Sequence, residues 1–321
     1  MKINQKIYLA PFQGVTTYTF REVYTSFFTG IDKLYTPFFT SVHKAKSLDK
    51  KGAGLNSVKQ GGIGVVPQIL SKDADEILRF ADHCSKKGFR EINWNLGCPY
   101  PRVANKKRGS GMLPFPGEAH KILLELDRRL EIDLSVKCRL GYYSHEEIFA
   151  MIDVFNEHKI SELIVHARIG KQLYSGSVNK EAFSKLIDRC KLPLAYNGDI
   201  FSKSDFDDFD KSFKLIDNWM IGRGLLRNPF LPAVLKSYEI PSPEEQKTLI
   251  YKFVTTLYLA YRKKTNDRLH AISIMKEYWS YLSCSFSSPQ KVFNSVKKTK
   301  TFDEYEEAVA FVFRNYDWLA S

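Results

Sequence analysis

The chain contains no CxxC pair. Its five cysteines, Cys84, Cys98, Cys138, Cys190 and Cys284, are scattered and odd in number. Zinc chelation and a disulfide framework are therefore not expected, and no metal site is assigned. Scattered thiols fit a reducing compartment. No run approaches the ~20 apolar residues that a membrane span requires. Met1 to Lys6 lack the apolar stretch of a secretory leader. A cytoplasmic location is the expectation. Acidic residues are in deficit: 36 Asp and Glu face 48 Lys and Arg, a net charge of +12. That surplus suits a polyanionic partner, although many basic proteins bind none. The last absence concerns glycine. The first apolar run ends in Ala10-Pro11-Phe12-Gln13-Gly14, without the fingerprint of an open doubly wound nucleotide-binding sheet.

What is present is alternation. Short apolar runs at Ile7–Phe12, Lys33–Phe39, Val65–Leu70, Glu91–Leu96, Leu134–Leu140, Glu162–Ala167, Leu192–Asn197 and Asn218–Ile221 read as strands. Helical patterns lie between them, at Tyr18–Phe28, Ala74–Lys87, Gly117–Leu130, His145–His158, Lys180–Cys190 and Ser202–Asp210, and Phe230–Tyr238 closes the set. Eight strands alternating with helices over about 240 residues predict an α/β fold, the parallel (β/α)8 TIM barrel. The cluster Gly61-Gly62-Ile63-Gly64 precedes a strand and reads as a turn. Pro241-Ser242-Pro243 reads as a linker, with Ser242 and Glu245 placed to cap a following helix. Beyond it only helical patterns occur: Glu244–Lys263, Arg268–Leu282, Pro289–Ser295 and Asp303–Tyr316. The expected division is a barrel over 1–240 and a small all-α domain over 241–321.

Barrel active sites form at the C-terminal ends of the strands. Polar residues collect there: Gln68 on strand three, Asn95 and Cys98 on four, Lys137 and Arg139 on five, His166 and Arg168 on six, Asn197-Gly198-Asp199 on seven, Gly222-Arg223-Gly224 on eight. Singly, each has a structural explanation. Lys137 could pair with Asp199, His166 could sit satisfied in the core, and the glycines could be turns. Jointly, six polar strand ends are hard to explain as packing, because a barrel core wants Val, Ile and Leu. Gly222-Arg223-Gly224 would let the backbone approach an anion, aided by a helix beginning after Asn228-Pro229. Lys137 would set a fixed cation near the barrel axis. Cys98 sits where Gly97 and Pro99 punctuate a strand end. Its thiol could donate a proton untuned, or become a nucleophile if Lys137 or Arg102 lowered its pKa.

Read in order, Ala10-Pro11-x-x-Gly14-Val15-Thr16, Pro67-Gln68, Asn95-x-Gly97-Cys98-Pro99, Val136-Lys137-x-Arg139-Leu140-Gly141, His166-x-Arg168, Gln172-x-Tyr174-x-Gly176, Asn197-Gly198-Asp199 and Gly222-Arg223-Gly224 form an ordered set. On these motifs the chain resembles the tRNA-dihydrouridine synthases, FMN-dependent barrels with a C-terminal helical domain. The resemblance implies a flavin edge held by Gln68 and Lys137, with His166 close and Ala10 and Pro11 in the cofactor set. It implies a phosphate cradle of Asn197, Gly198, Asp199, Gly222 and Arg223. Asn95, Arg139, Arg168, Gln172 and Tyr174 become the substrate-binding set. Cys98 becomes the general acid that protonates uracil C5 while reduced flavin delivers hydride to C6. NADPH, or NADH, would reduce the flavin separately. A uracil must leave its stack to be reached, and Cys98 on its loop could move to meet it.

The partner so implied is tRNA, and a monomer is expected. Arg102, Lys106, Lys107 and Arg108 after the cysteine, Lys44, Lys46, Lys50 and Lys51 after strand two, and Arg262, Lys263 and Lys264 in the tail are candidate phosphate contacts. Tyr278-Trp279-Ser280-Tyr281-Leu282 reads as helix core rather than a stacking platform. The Lys276–Leu282 helix leans toward the subgroup acting on position 16 of the D-loop. The loop Lys106–Phe115 departs from the family by added charge and keeps Gly109 and Gly111. Two alternatives stand beside this reading: an FMN barrel oxidoreductase acting on a small molecule of dihydroorotate or enoate type, and a dihydrouridine synthase acting on rRNA.

Overall fold

The computed structural model describes residues 5–42, 54–264 and 268–319. The lysines at 44, 46, 50 and 51 lie outside them. The described strands are β1 Lys6–Leu9, β2 Lys33–Tyr35, β3 Lys59–Gln60, β4 Ile63–Val66, β5 Gln68–Ile69, β6 Glu91–Leu96, β7 Asp133–Gly141, β8 Glu162–Ile169, β9 Leu194–Asn197 and β10 Asn218–Ile221. They form one sheet in the order β3-β4-β2-β1-β10-β9-β8-β7-β6-β5. Apart from β3 against β4, the paired strands run parallel. The barrel closes at Pro67. This residue has no N–H to give a ladder and breaks the third barrel strand into β4, beside β2, and β5, beside β6. A parallel bridge from Phe39 to Ile69 completes the ring.

Departures from the expected boundaries follow proline. The second strand stops at Tyr35 before Pro37, and the seventh begins at Leu194 after Pro193. The Gly61-Gly62 turn, with φ of 55° and 81°, joins an unforeseen strand, β3, to β4 as a hairpin. Caps fall where the sequence offers short polar acceptors. Ser202 accepts from Asp205 N–H, and Ser242 and Glu245 bond reciprocally at the start of helix Pro243–Lys264. The tail packs on the barrel through aromatics. Phe253 meets Phe20, Tyr24, Phe27 and Phe28 with ring centroids 5.0–6.4 Å apart. The Tyr261 hydroxyl lies 2.7 Å from Thr17 Oγ1.

The barrel interior is not uniformly aliphatic. Its apolar layer consists of Tyr8, Ala10, Tyr35, Val66, Ile164, Ala195 and Met220. At the opposite end from the strand C-termini, the buried Glu162 accepts from Tyr8 Oη, Asn218 Nδ2, Lys33 Nζ and Tyr35 Oη at 2.8–3.3 Å. Lys33 also reaches Glu91 at 3.2 Å. Sequence patterning misses this plug because its members lie on five different strands. Glu162→Ala would leave Tyr8, Tyr35 and Asn218 without this acceptor and the half-buried Lys33 with Glu91 alone. It is expected to lower unfolding free energy by about 1–3 kcal/mol in denaturant titration. A loss under half that range would show that water compensates for the carboxylate.

Candidate active site

The C-terminal strand ends converge on one open cavity. Its wall takes Ala10 and Pro11 after β1, Gln68 from β5, and Asn95 and Cys98 from β6 and its turn. Lys137 and Arg139 come from β7 and His166 from β8. Asn197, Gly198 and Asp199 follow from β9, and Gly222 and Arg223 from the end of β10. Tyr174 joins from the loop after β8. Inward residues alternate along each strand, so Lys137 and Arg139 share one face while Val136 and Cys138 point away.

The Cys98 turn is held from three directions. Asn95 Oδ1 accepts the Gly97 and Cys98 N–H groups, each at 2.9 Å. The Ser110 N–H and hydroxyl both donate to the Cys98 carbonyl at 3.0 Å. Arg139 Nε donates to the Gly97 carbonyl at 3.1 Å. Gly109, at φ 56°, lies so close that a Cβ there would stand 2.6 Å from the Cys98 oxygen. Displacing the turn, which the sequence left able to move with its loop, would break several hydrogen bonds at once. Burial pushes the thiol above its ordinary range. The Tyr100 amide, Arg139, Arg102 and Lys137 offset this only in part. The group stays a thiol at neutral pH, which separates the two chemistries the sequence left open and favours donation of a proton over nucleophilic attack.

Lys137 has no carboxylate or hydrogen-bond partner among the described residues. Burial, with Arg139 beside it, lowers its ammonium to about 8. The pairing with Asp199 that the sequence allowed is absent, since Asp199 bonds Arg168 and Arg223. His166 is buried and held well below its usual pKa, first by desolvation and then by Arg139, Lys137, Arg168 and Arg223. Its Nε2 lies 3.3 Å from Arg168 Nη1. A guanidinium only donates, so Nε2 accepts and the neutral ring carries its proton on Nδ1.

Two members of the expected substrate set do not line the cavity. Arg168 is committed to Asp199 and the Gly176 carbonyl. Gln172 accepts the Ile169 N–H at 2.9 Å and supports the loop from behind. Arg139 lines the cavity, yet its Nη1 also grips the Ile169 and Leu173 carbonyls at 2.8 and 2.7 Å. It therefore ties the Cys98 turn to the loop bearing Tyr174. Tyr174 lies under two cations, Arg139 at 5.4 Å and Arg223 at 4.9 Å, and faces Phe12 at 6.0 Å.

At the strand-ten end a short helix starts at once, Arg223–Arg227 with Gly222 as cap, and the helix expected after Asn228-Pro229 follows at Leu231–Leu235. Asn228 accepts the Phe230 N–H at 3.0 Å and shapes the next turn. Gly224 answers to packing, since a Cβ would fall 2.0 Å from Ile200 O. Asn197 Nδ2 donates to Met220 O at 2.7 Å.

Sequence reasoning missed the tail's contribution. Tyr278, Trp279 and Leu282 are buried as expected, but Glu277 and Tyr281 reach the cavity wall, with Tyr281 5.5 Å from Phe12. Their i, i+4 spacing on one face was the available signal. Among the candidate phosphate contacts, Arg102, Lys106 and Lys263 are exposed without an ion pair among the described residues. The others are engaged: Lys107 with Glu118, Arg108 with Leu70 O and Glu76, Arg262 with Glu306, Lys264 with Thr19. No described cluster of three or more His, Cys, Asp or Glu could hold a metal ion. No described helix is long and apolar enough to cross a membrane.

A closed parallel barrel with its polar cavity at the strand C-termini is an enzyme architecture. Solved structures share it. An old yellow enzyme homologue from Zymomonas mobilis superposes with a TM-score of 0.55 at 12% identity, covering 74% of this chain and 90% of that one. Morphinone reductase gives 0.52 at 11%, covering 74% and 87%. At such identities the likeness is one of fold. The sequence model described as Dihydrouridine synthase (Dus) matches residues 8–315, and the chain belongs to that family. A tRNA-dihydrouridine(16) synthase of Neisseria meningitidis serogroup B (strain ATCC BAA-335 / MC58) is 27% identical over 96% of this chain and 95% of its own. A probable tRNA-dihydrouridine synthase of Rickettsia bellii (strain RML369-C) is 27% identical over 78% and 77%. Membership implies an oxidoreductase with a flavin and a nicotinamide reductant.

Proposed function

We propose that this chain reduces the C5–C6 double bond of a D-loop uridine in tRNA, uridine 16 being the expected position. FMN would be the bound flavin and NADPH, or NADH, the reductant. The observation that carries the reading is Cys98 as a held thiol lining the same cavity as the unpaired Lys137. The cavity wall fits FMN. Lys137, Arg139 and Arg223 outnumber the carboxylates Asp199 and Glu277 there, and Asp199 is already engaged by two arginines. That surplus suits a phosphate near Asn197, Gly198, Gly222 and Arg223, and a negative ring edge near Lys137, Gln68 and His166. When bound, the flavin supplies the hydride. Asn95, Arg139 and Tyr174 would hold the extruded base. Cys98 Sγ–H gives its proton to uracil C5 and is then restored from solvent. Arg168 and Gln172 act as supports, fixing Asp199 and the Tyr174 loop. Arg102, Lys106 and Lys263 would meet backbone phosphates without reading sequence.

Comparing dihydrouridine in total tRNA, position by position, with and without the gene tests this reading. Loss at one D-loop position is expected; an unchanged profile without a second synthase overturns it. A pH dependence also follows. Lys137 titrates near 8 when folded and near 10.5 when unfolded, so the unfolded chain binds more protons in that window and the ligand-free protein gains stability as pH rises through it. An anion bound beside Lys137 favours the charged form. FMN affinity for the flavin-free protein is expected to fall as pH rises through 8, and Lys137→Met should flatten that slope. Equal slopes for the two proteins would remove Lys137 from the flavin site.

A further inference from the structure

A chain of buried amides runs from the barrel wall to the Cys98 turn, and its direction is forced. Backbone N–H groups only donate, so the Asn95 atom that meets Gly97 N and Cys98 N must be its oxygen. Asn95 Nδ2 therefore points the other way and donates to Gln68 Oε1 at 2.7 Å. That leaves Gln68 Nε2 to donate to Asn93 Oδ1 at 2.8 Å. Asn93 Nδ2 in turn donates to Ser135 Oγ at 2.9 Å, and Ser135 Oγ lies 3.4 Å from Ile92 O. Gln68, Asn93 and Ser135 are fully buried, and Asn95 is nearly so. The strand register builds the chain, because Gln68, Asn93 and Ser135 are direct neighbours across β5, β6 and β7. No amide in the series can flip without leaving two like groups facing each other.

We infer that Asn93 and Ser135 are positioning residues, which lock the Gln68 and Asn95 amides in one orientation and hold the Cys98 turn through them. Neither side chain lines the cavity. Their effect is on what the cavity wall offers. Gln68 and Asn95 each retain one N–H beyond the chain, so the ligand edges facing them must carry acceptors such as ring carbonyl oxygens. The inference rests on the reading of Cys98 as proton donor only for its consequence in turnover. The geometry of the turn is a separate matter and can be read separately.

The experiment uses the flavin-loaded protein, with alkylation of Cys98 by iodoacetamide followed by peptide mass spectrometry and with the flavin absorption spectrum. Asn93→Leu keeps the volume and removes both links. It is expected to raise the Cys98 alkylation rate about tenfold and to shift the flavin band, while the fully buried Cys84 and Cys138 stay unmodified. Asn93→Asp keeps the acceptor toward Gln68, and Ser135 can rotate to donate to it. Its alkylation rate should stay within about twofold of the parent. Where Asn93→Leu does not fold, Ser135→Ala decides: a rise of about threefold supports the relay. Folded variants with the parental alkylation rate and spectrum overturn it. Faster alkylation with unchanged uridine reduction would keep the relay and instead refute Cys98 as the proton donor.

Discussion

Cys98→Ala is expected to keep its flavin and to lose uridine reduction by about 10²–10⁴-fold, the usual contribution of a positioned general acid. The flavin should stay because the proposed cradle, Asn197, Gly198, Gly222 and Arg223, lies on strands other than that of Cys98. The loss should be large because the other described cysteines are poor substitutes. Cys84 and Cys138 are buried in the core, and Cys190 and Cys284 are absent from the cavity wall. His166 cannot replace the thiol cheaply, since its neutral ring is held among four cations. Flavin reduction by the nicotinamide, followed by stopped-flow absorbance, should be unchanged, while dihydrouridine formation in a single turnover should collapse. Normal dihydrouridine formation by the variant would remove Cys98 from the chemistry. Cys98→Ser, a much weaker acid in the same place, should fall between the two.

The second large effect is expected at a residue that touches no ligand. Gly109→Ala adds a Cβ that would stand 2.6 Å from the Cys98 oxygen, 2.9 Å from its Cβ and 3.1 Å from its nitrogen. The backbone there has φ 56°, which an alanine also resists. Something must shift, and the movable partner is the Cys98 turn. A displacement of about 1 Å at a reacting group is enough to lower turnover by about 10²-fold. The flavin and the melting temperature should change far less than kcat. Gly117→Ala, where a Cβ meets nothing within 4 Å, is the control. If Gly109→Ala turned over at the parental rate, the loop after Cys98 would not be what holds the thiol in place.

Much of this site is legible in the sequence alone. Gln68, Asn95, Cys98, Lys137, Arg139, His166, Asn197 and Arg223 stand at strand ends that the alternation alone located, and all of them line the cavity. Arg168 shows where such reasoning stops. It belongs to the same strand end as His166 and carries the right charge, yet its guanidinium turns to an aspartate 31 residues away. Glu277 and Tyr281 show the converse. Their i, i+4 spacing puts them on one face of the helix Arg268–Leu282, but it does not say that this face roofs a cavity built by another part of the chain.

The sequence by itself determined the barrel, the place of each strand end and the residue types available there. Those follow from local periodicity and from proline and glycine chemistry, which act over a few neighbours. The tertiary structure alone decided which of those groups face the cavity unpaired and which are consumed in holding others. It also decided that Cys98 stays a thiol on a pinned turn. Hydrogen-bond direction, burial and charge pairing there are set by partners on different strands, tens of residues apart, and no local pattern encodes them.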